Sequence, residues 1–404
     1  VGARVLLPAG PAGWGAGSEA TLRTLAEAVR ARRKVARRPA AALKADEEGE
    51  THNLRIVAVR PLLPPACLLE ELPRLSQHAA VVQKGRAALQ SILAAHGTGS
   101  DRLVILAGPA SIDDTSAALE FAARLKPLAA EVSDEVLVLM TVRLGGVDGG
   151  WEGFLKDPAR DGTCQFNVGV KRARDLMLQI LRLGVPTASD FDNTITPQFF
   201  ADLLSFATVS AQSATLRELV SGLSMPVGLR APSAPDGSDE DAPAALAALQ
   251  AAGLPRPFLG VTAHGTAGIV DSSGNPDCAL LLGGGVGDAS ARAAALTAAA
   301  DRSPSPVVAE CGGAALGPMG QADLAAALLA AYADGGAAPR GLSLSSHLLS
   351  GSLQGDGPTV HGMSVTDPCI DWVATELVIR SAAAAVRQRR AGGAAQVAKR
   401  ARNQ

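Results

Sequence analysis

The run Leu103-Val-Ile-Leu-Ala107, the break Gly108-Pro-Ala-Ser-Ile112, the amphipathic stretch Thr115–Leu125 and a second apolar run, Val136–Val142, decide the fold. Short runs that are apolar at nearly every position read as strands covered on both faces, and a helix-length segment between two of them is the mark of a parallel crossover. Working outward, the alternation continues. Strands are predicted at Thr187–Asp190, Thr208–Ala211, Pro226–Leu229, Ala279–Leu282, Val307–Ala309 and Leu342–Leu344. Helices fall at Val81–Ala95, Val168–Leu183, Pro197–Leu204, Ala244–Ala252, Ala289–Ala300 and Ala322–Ala331. Eight strands with intervening helices predict an α/β protein closed as a (β/α)8 TIM barrel. One segment departs from the pattern: Phe258–Val270 with Asp271-Ser-Ser-Gly-Asn275 reads as a β-hairpin inserted before the sixth strand.

Residues 1–52, Pro/Gly-rich with one helical pattern at Leu22–Arg30 and then a charged stretch, read as an N-terminal arm. The barrel is expected over 53–389 and a basic C-terminal tail over 390–404. With 47% hydrophobic and 19% charged residues, the 404-residue chain has the composition of a large packed core, not of a disordered chain. A net charge of −2 gives no overall basic field for nucleic acid; the basic runs Arg30–Arg38 and Arg387–Arg402 read as solvated ends. The five cysteines are dispersed without CxxC spacing, as reduced thiols of a cytoplasmic protein would be. No apolar run reaches membrane-spanning length and no secretory leader is apparent, so no membrane partner is expected.

In such barrels the reactive groups stand just past each strand's C-terminal end. Those positions are Gly108–Ser111, Arg143–Asp148, Gln212, Arg230, Gly283, Glu310–Gly313, Ser345–His347 and Asp367.

At these points the chain resembles the type I 3-deoxy-heptulosonate-7-phosphate (DAHP) synthases. The resemblance is carried by Leu54–Val59 with Arg60-Pro-Leu-Leu-Pro-Pro65, by Gly108–Ile112, and by Thr194-Ile-Thr-Pro-Gln198. Further along it rests on Arg217–Ser224, Pro226-Val-Gly228, Gly274-Asn-Pro-Asp-Cys278, and Gly362–Ile370 with Trp372. The match is collinear from about residue 53 to 389. It implies the barrel and a homodimer or homotetramer. It also implies condensation of phosphoenolpyruvate with erythrose 4-phosphate on a divalent metal held by Cys, His, Glu and Asp. The metal would polarise the aldehyde, and Lys and Arg would neutralise the phosphates.

Carried over residue by residue, the resemblance implies losses. Ala110 stands for the metal-binding Cys of G-P-C-S-I, Gly313 for the His of D-F-S-H-A-N, and Ser345 for the Glu of E-S-H-L; Asp367 alone is kept. On the phosphate side the loop K-P-R-T-T shrinks to Leu144–Gly150, Gln212 and Gly283 replace arginines, and Arg230 replaces a lysine, while Arg143 is retained. The replacements are mainly small, so Ala110, Gln212, Gly283, Gly313 and Ser345 are expected to line a larger, less charged pocket without metal or other cofactor.

Arg143 and Arg230 are candidates to clamp a carboxylate or enolate, and His347 and Asp367 to move protons. If the strand ran on, Ser345 and His347 would share the interior face. His347 is equally a packed core histidine, and Asp367 equally the partner of an arginine. His264 reads as an exposed loop histidine and Cys311 as a buried, inert thiol. The glycines at 283–285 and 312–313 lack a phosphate-loop context. The function expected is a metal-independent enzyme of specialised metabolism, forming a ring or a C–C bond on a bulky, largely apolar substrate. The alternatives are a non-catalytic relative that regulates a partner and an authentic DAHP synthase.

Overall fold

A computed structural model of the chain describes residues 53, 55–94, 100–146, 150–231, 242–283, 285, 287–313, 316–353 and 359–402. The expected arm at 1–52, its Leu22–Arg30 helix, and Asp148 lie outside the described residues. The chain divides into two compact units, Val1–Pro61 and Leu62–Gln404. In the described part of the first, Ile56 N–H donates to Asn53 O at 2.9 Å and the chain then runs extended, with Val57 and Val59 exposed.

The second unit opens with α1 (Pro65–Glu71) and α2 (Ser76–Ile92). Then come β1 (Leu103–Gly108), α3 (Thr115–Glu131), β2 (Val136–Thr141), α4 (Phe166–Arg182), β3 (Thr187–Phe191) and α5 (Pro197–Phe200). The middle holds β4 (Leu204–Ser210), α6 (Ala214–Val220), β5 (Val227–Arg230), α7 (Ala242–Ala252), β6 (Arg256–Val261) and β7 (Ala267–Ser272). The last elements are β8 (Cys278–Leu282), α8 (Ala289–Arg302), β9 (Val307–Glu310), α9 (Gly317–Ala333), β10 (Gly341–Ser345) and α10 (Trp372–Arg402). The eight strands β1, β2, β3, β4, β5, β8, β9 and β10 pair in parallel in that order, and β10 closes the ring on β1. The (β/α)8 barrel is therefore observed. β6 and β7 form the separate antiparallel hairpin before the sixth barrel strand, turning at 262–266.

The sequence explains these elements locally. The α3 N-cap Asp114 accepts from Ser116 N–H, the α6 N-cap Ser213 from Leu216 N–H, and the α8 N-cap Asp288 from Ala291 N–H. Because strand side chains alternate, one set (Leu103, Ile105, Ala107 on β1) packs outward under the helices in the main core. The other set (Val104, Leu106, Leu139, Ala188, Phe206, Ala279, Leu281, Val308) fills the ring with Leu89 of α2 and Leu93 just past its end. The tight ring demands small residues at close approaches. A Cβ on Gly341 of β10 would collide with the Val104 side chain and carbonyl. The edge of the Trp372 ring meets Phe121 at 5.5 Å between centroids, seating α10 on α3. α10 continues to Arg402 and so takes in most of the residues read as a basic tail.

Candidate functional site

The strand period carries the inward face from apolar to charged at the C-terminal end of the barrel. It passes from Leu139 through Thr141 to Arg143, from Ala188 to Asp190, and from Phe206 to Thr208. On the opposite side it passes from Gly228 to Arg230, from Val308 to Glu310, and from Gly341 through Ser343 to Ser345. These side chains meet. Arg230 Nε donates to both Glu310 carboxylate oxygens at 3.1 Å, and Arg230 Nη2 lies 3.0 Å from Glu310 Oε1 and 3.9 Å from Asp190 Oδ1. Arg143 lies 3.6 Å from Asp190 Oδ2 through Nε and 3.8 Å from Glu310 Oε1 through Nη2. The Arg143 fork also donates to Ser343 Oγ at 3.1 Å and to Ser345 Oγ at 3.4 Å. Thr208 Oγ1 donates to Asp190.

Two guanidiniums thus neutralise two carboxylates in a closed quartet. Burial opposes ionisation of Asp190, but Arg230, Arg143 and the Thr208 hydroxyl outweigh it and hold the carboxyl below its usual range. Burial likewise opposes the charge on Arg230, and Asp190 and Glu310 outweigh it, so its pKa is raised. The two arginines read as a carboxylate clamp are already engaged with carboxylates of the chain itself. In the sequence Asp190 figures only as the last residue of a predicted strand, and Glu310 only as a strand-end position beside the substituted His. The two-residue period along β3 and β9 was the signal that would have found both.

The other expected site residues are dispersed. His347 is buried beyond the end of β10; its N–H donates to Ile370 O and its Nδ1 has no partner. The strand does not continue to it: β10 stops at Ser345, and Ser346 forms an isolated bridge to Ile370, which breaks the expected alternation. Burial pushes the His347 imidazole down to about 4. Asp367 is half-buried, and its carbonyl accepts from the Cys369 thiol at 3.7 Å. Ser345 is buried, its backbone gripped by Gln321, which donates to Ser345 O at 3.0 Å and accepts from Ser345 N–H at 2.7 Å. Gly312 packs so closely on Ser345 that a Cβ there would meet its hydroxyl, and Gly313 takes φ +126, a conformation that side chains rarely adopt. Gln212 is exposed, and Ala110 and Gly283 are half-buried. Cys311 is buried and its thiol is pushed up to about 12, consistent with an inert thiol.

Beside the quartet opens a cleft of about 660 Å³, reached by Asp190, Thr208 and Arg230. Its apolar wall includes Leu62, Trp151, Phe166, Phe191, Ile195 and Phe199. None of Ala110, Gln212, Gly283, Gly313 and Ser345 lines it, and neither do Arg143, His347 and Asp367. This cleft opens on the β3–β5 side. On the side of the substituted residues, the Arg143 fork reaches Ser343 and Ser345 instead.

The architecture is a (β/α)8 barrel with charged groups gathered at its C-terminal end, where barrels of this class carry their functional sites. The profile of the DAHP synthetase I family matches residues 84–380, and the chain belongs to that family. It is 37% identical over 354 residues to the Phe-sensitive phospho-2-dehydro-3-deoxyheptonate aldolase of Escherichia coli K12, covering 84% of this chain and 99% of the relative. It is 33% identical to the phospho-2-dehydro-3-deoxyheptonate aldolase AMT16 of Alternaria alternata, covering 84% and 94%. The solved aldolase of Francisella tularensis superposes with a TM-score of 0.74 at 29% identity, covering 83% of this chain and 99% of that one.

The metal that the resemblance implies does not fit the residues present. A divalent ion held by protein side chains needs several converging donors. Ala110 and Gly313 offer no side-chain donor, Ser345 offers a hydroxyl occupied by Arg143, and Asp367 is the one carboxylate. Among the described residues no group of three His, Cys, Asp or Glu side chains is placed to hold a metal ion. No helix among them is long and apolar enough to cross a membrane.

Proposed function

We propose that this member of the DAHP synthetase I family is a cytoplasmic enzyme that has left the metal-dependent condensation of phosphoenolpyruvate with erythrose 4-phosphate. It uses its barrel for a metal-independent reaction, ring closure or C–C bond formation, on a larger and less anionic small molecule. The observation that carries the reading is the set Ala110, Gly313 and Ser345 at three of the four metal-ligand positions. The quartet adds support: a phosphate entering beside Arg230 would compete with Glu310 and Asp190 for a cation they already neutralise. The cleft at β3–β5 supplies the binding volume, with Arg230 and Thr208 as its polar contacts.

A second reading, ordinary aldolase activity, is favoured by the relatives themselves. The comparisons taken alone fit it better than the first, since an aldolase of Escherichia coli is 37% identical over nearly its whole length. A coupled assay separates the two. With phosphoenolpyruvate, erythrose 4-phosphate and added manganese or cobalt, the first reading predicts no product above a protein-free control. Metal-dependent product restores the second.

A further inference from the structure

We infer that the β3–β5 cleft takes an amine-bearing, part-apolar cation in place of the phosphorylated anions that its relatives' activity would demand. The inference rests on the reading of the cleft as repurposed and names the ligand class for it.

The charges lining the cleft are Glu152, Lys156, Asp190, Asp192 and Arg230. Lys156 pairs with Glu152 at 3.4 Å. Arg230 and Asp190 belong to the quartet, which Arg143 and Glu310 complete to neutrality. Asp192 remains. It is exposed, and one carboxylate oxygen accepts from Asn193 Nδ2 at 2.6 Å, but no cation pairs with it among the described residues. The described lining therefore offers one uncompensated negative charge and no uncompensated positive one. A phosphate dianion approaching Arg230 also meets the Glu310, Asp190 and Asp192 carboxylates around it, so the field it enters is not cationic. An ammonium group meets a carboxylate and disturbs no pair.

The rest of the lining describes the body of the ligand. Leu62, Phe166 and Ile195 stand 38%, 43% and 39% exposed at the cleft, apolar surface that a bound hydrocarbon or ring would cover. Trp151, half-buried, extends that wall. An apolar body carrying one amine matches both features.

The test is calorimetric titration of the full chain with 2-phenylethylamine, phenylacetate and inorganic phosphate. The first two share a ring and differ in the sign of their charge. The inference predicts that the amine binds about ten-fold tighter than phenylacetate at low salt, and that phosphate gives no saturable heat. Asp192→Asn should bring the amine and the acid to within roughly two-fold, whereas Asp271→Asn, an exposed carboxylate on β7, should leave their ratio unchanged. The inference is overturned if phenylacetate or phosphate binds as tightly as the amine, if none of the three binds, or if Asp192→Asn leaves the ratio intact. Metal-dependent aldolase turnover would overturn the underlying reading whatever the amines do. Absent turnover, failure of the amine preference removes this inference alone.

Discussion

His347 shows how burial, with a smaller opposing pull from Asp114, sets the behaviour of a side chain. It is neutral in the folded chain, with its pKa pushed down to about 4, and takes up a proton near 6.5 when unfolded. The unfolded state therefore binds more protons between those values. Stability should fall as pH drops from about 6.5 towards 4 and level off below, by about 3 kcal/mol in all. Urea midpoints across that range should show the slope in the native chain and a flatter profile in His347→Leu. His361 runs the other way. Hydrogen bonds to Glu120 and Asp114, both at 3.0 Å, raise its pKa, so its contribution is present in full below the unfolded value and lost as pH rises through the folded one. His361→Ala should lower the Tm at about pH 5.5 and leave it unchanged at about pH 9. In the quartet, Glu310→Gln leaves two guanidiniums facing one carboxylate; a loss of about 2 kcal/mol is expected, with strong coupling to Arg230→Met in a double-mutant cycle. Of these residues, the sequence exposed Arg143 and Arg230 as cations at strand ends. It hid their partners, because ion pairing across a barrel depends on which strands become neighbours, and no local pattern states that. The expectation that Ser345 and His347 share an interior face fails for a related reason: a strand's end is set by pairing, and β10 stops two residues short of His347.

At the scale of elements, strands were legible wherever continuous apolar runs were flanked by turn residues, as at Leu103–Gly108 and Val136–Thr141. β4 was read four residues late. Pro197–Leu204 looks like one helix by composition, but α5 ends at Phe200, a 3-10 turn covers Ala201–Leu203, and the strand starts at Leu204. Phe206 is then a residue of the barrel interior and no longer part of a connection. The seven residues of α6 are too few turns to show a period, and the Ala-rich seventeen residues of α9, legible only at Ala322–Ala331, carry little periodic signal. The hairpin was anticipated and leaves a question of its own. Leu259 and Ile269 face each other across β6 and β7, yet stand 76% and 74% exposed. An apolar cross-strand pair left in water fits the homo-oligomer that the resemblance implies. Light scattering should find a dimer or tetramer, and Leu259→Ser with Ile269→Ser should shift it towards monomer while leaving the circular dichroism unchanged. A native chain that is monomeric at high concentration would contradict this.

Over the whole molecule, the scaffold is the part that is secured. The ring order, the closure of β10 on β1 and the inserted hairpin are those expected from the sequence, and the family is established. The cleft of about 660 Å³ beside Arg230 and Asp190 is lined by none of the substituted positions. The Arg143 fork, Gln321 and the Gly312 approach occupy the surroundings of Ser345, and the cleft opens beside Arg230 and Asp190. The account turns on whether a divalent ion still has a home here. Electron paramagnetic resonance of aqueous manganese, titrated with the purified full-length chain, reads this directly. The account predicts that the free-ion signal persists undiminished at an equimolar ratio; loss of one equivalent of signal, abolished by Asp367→Ala, would contradict it.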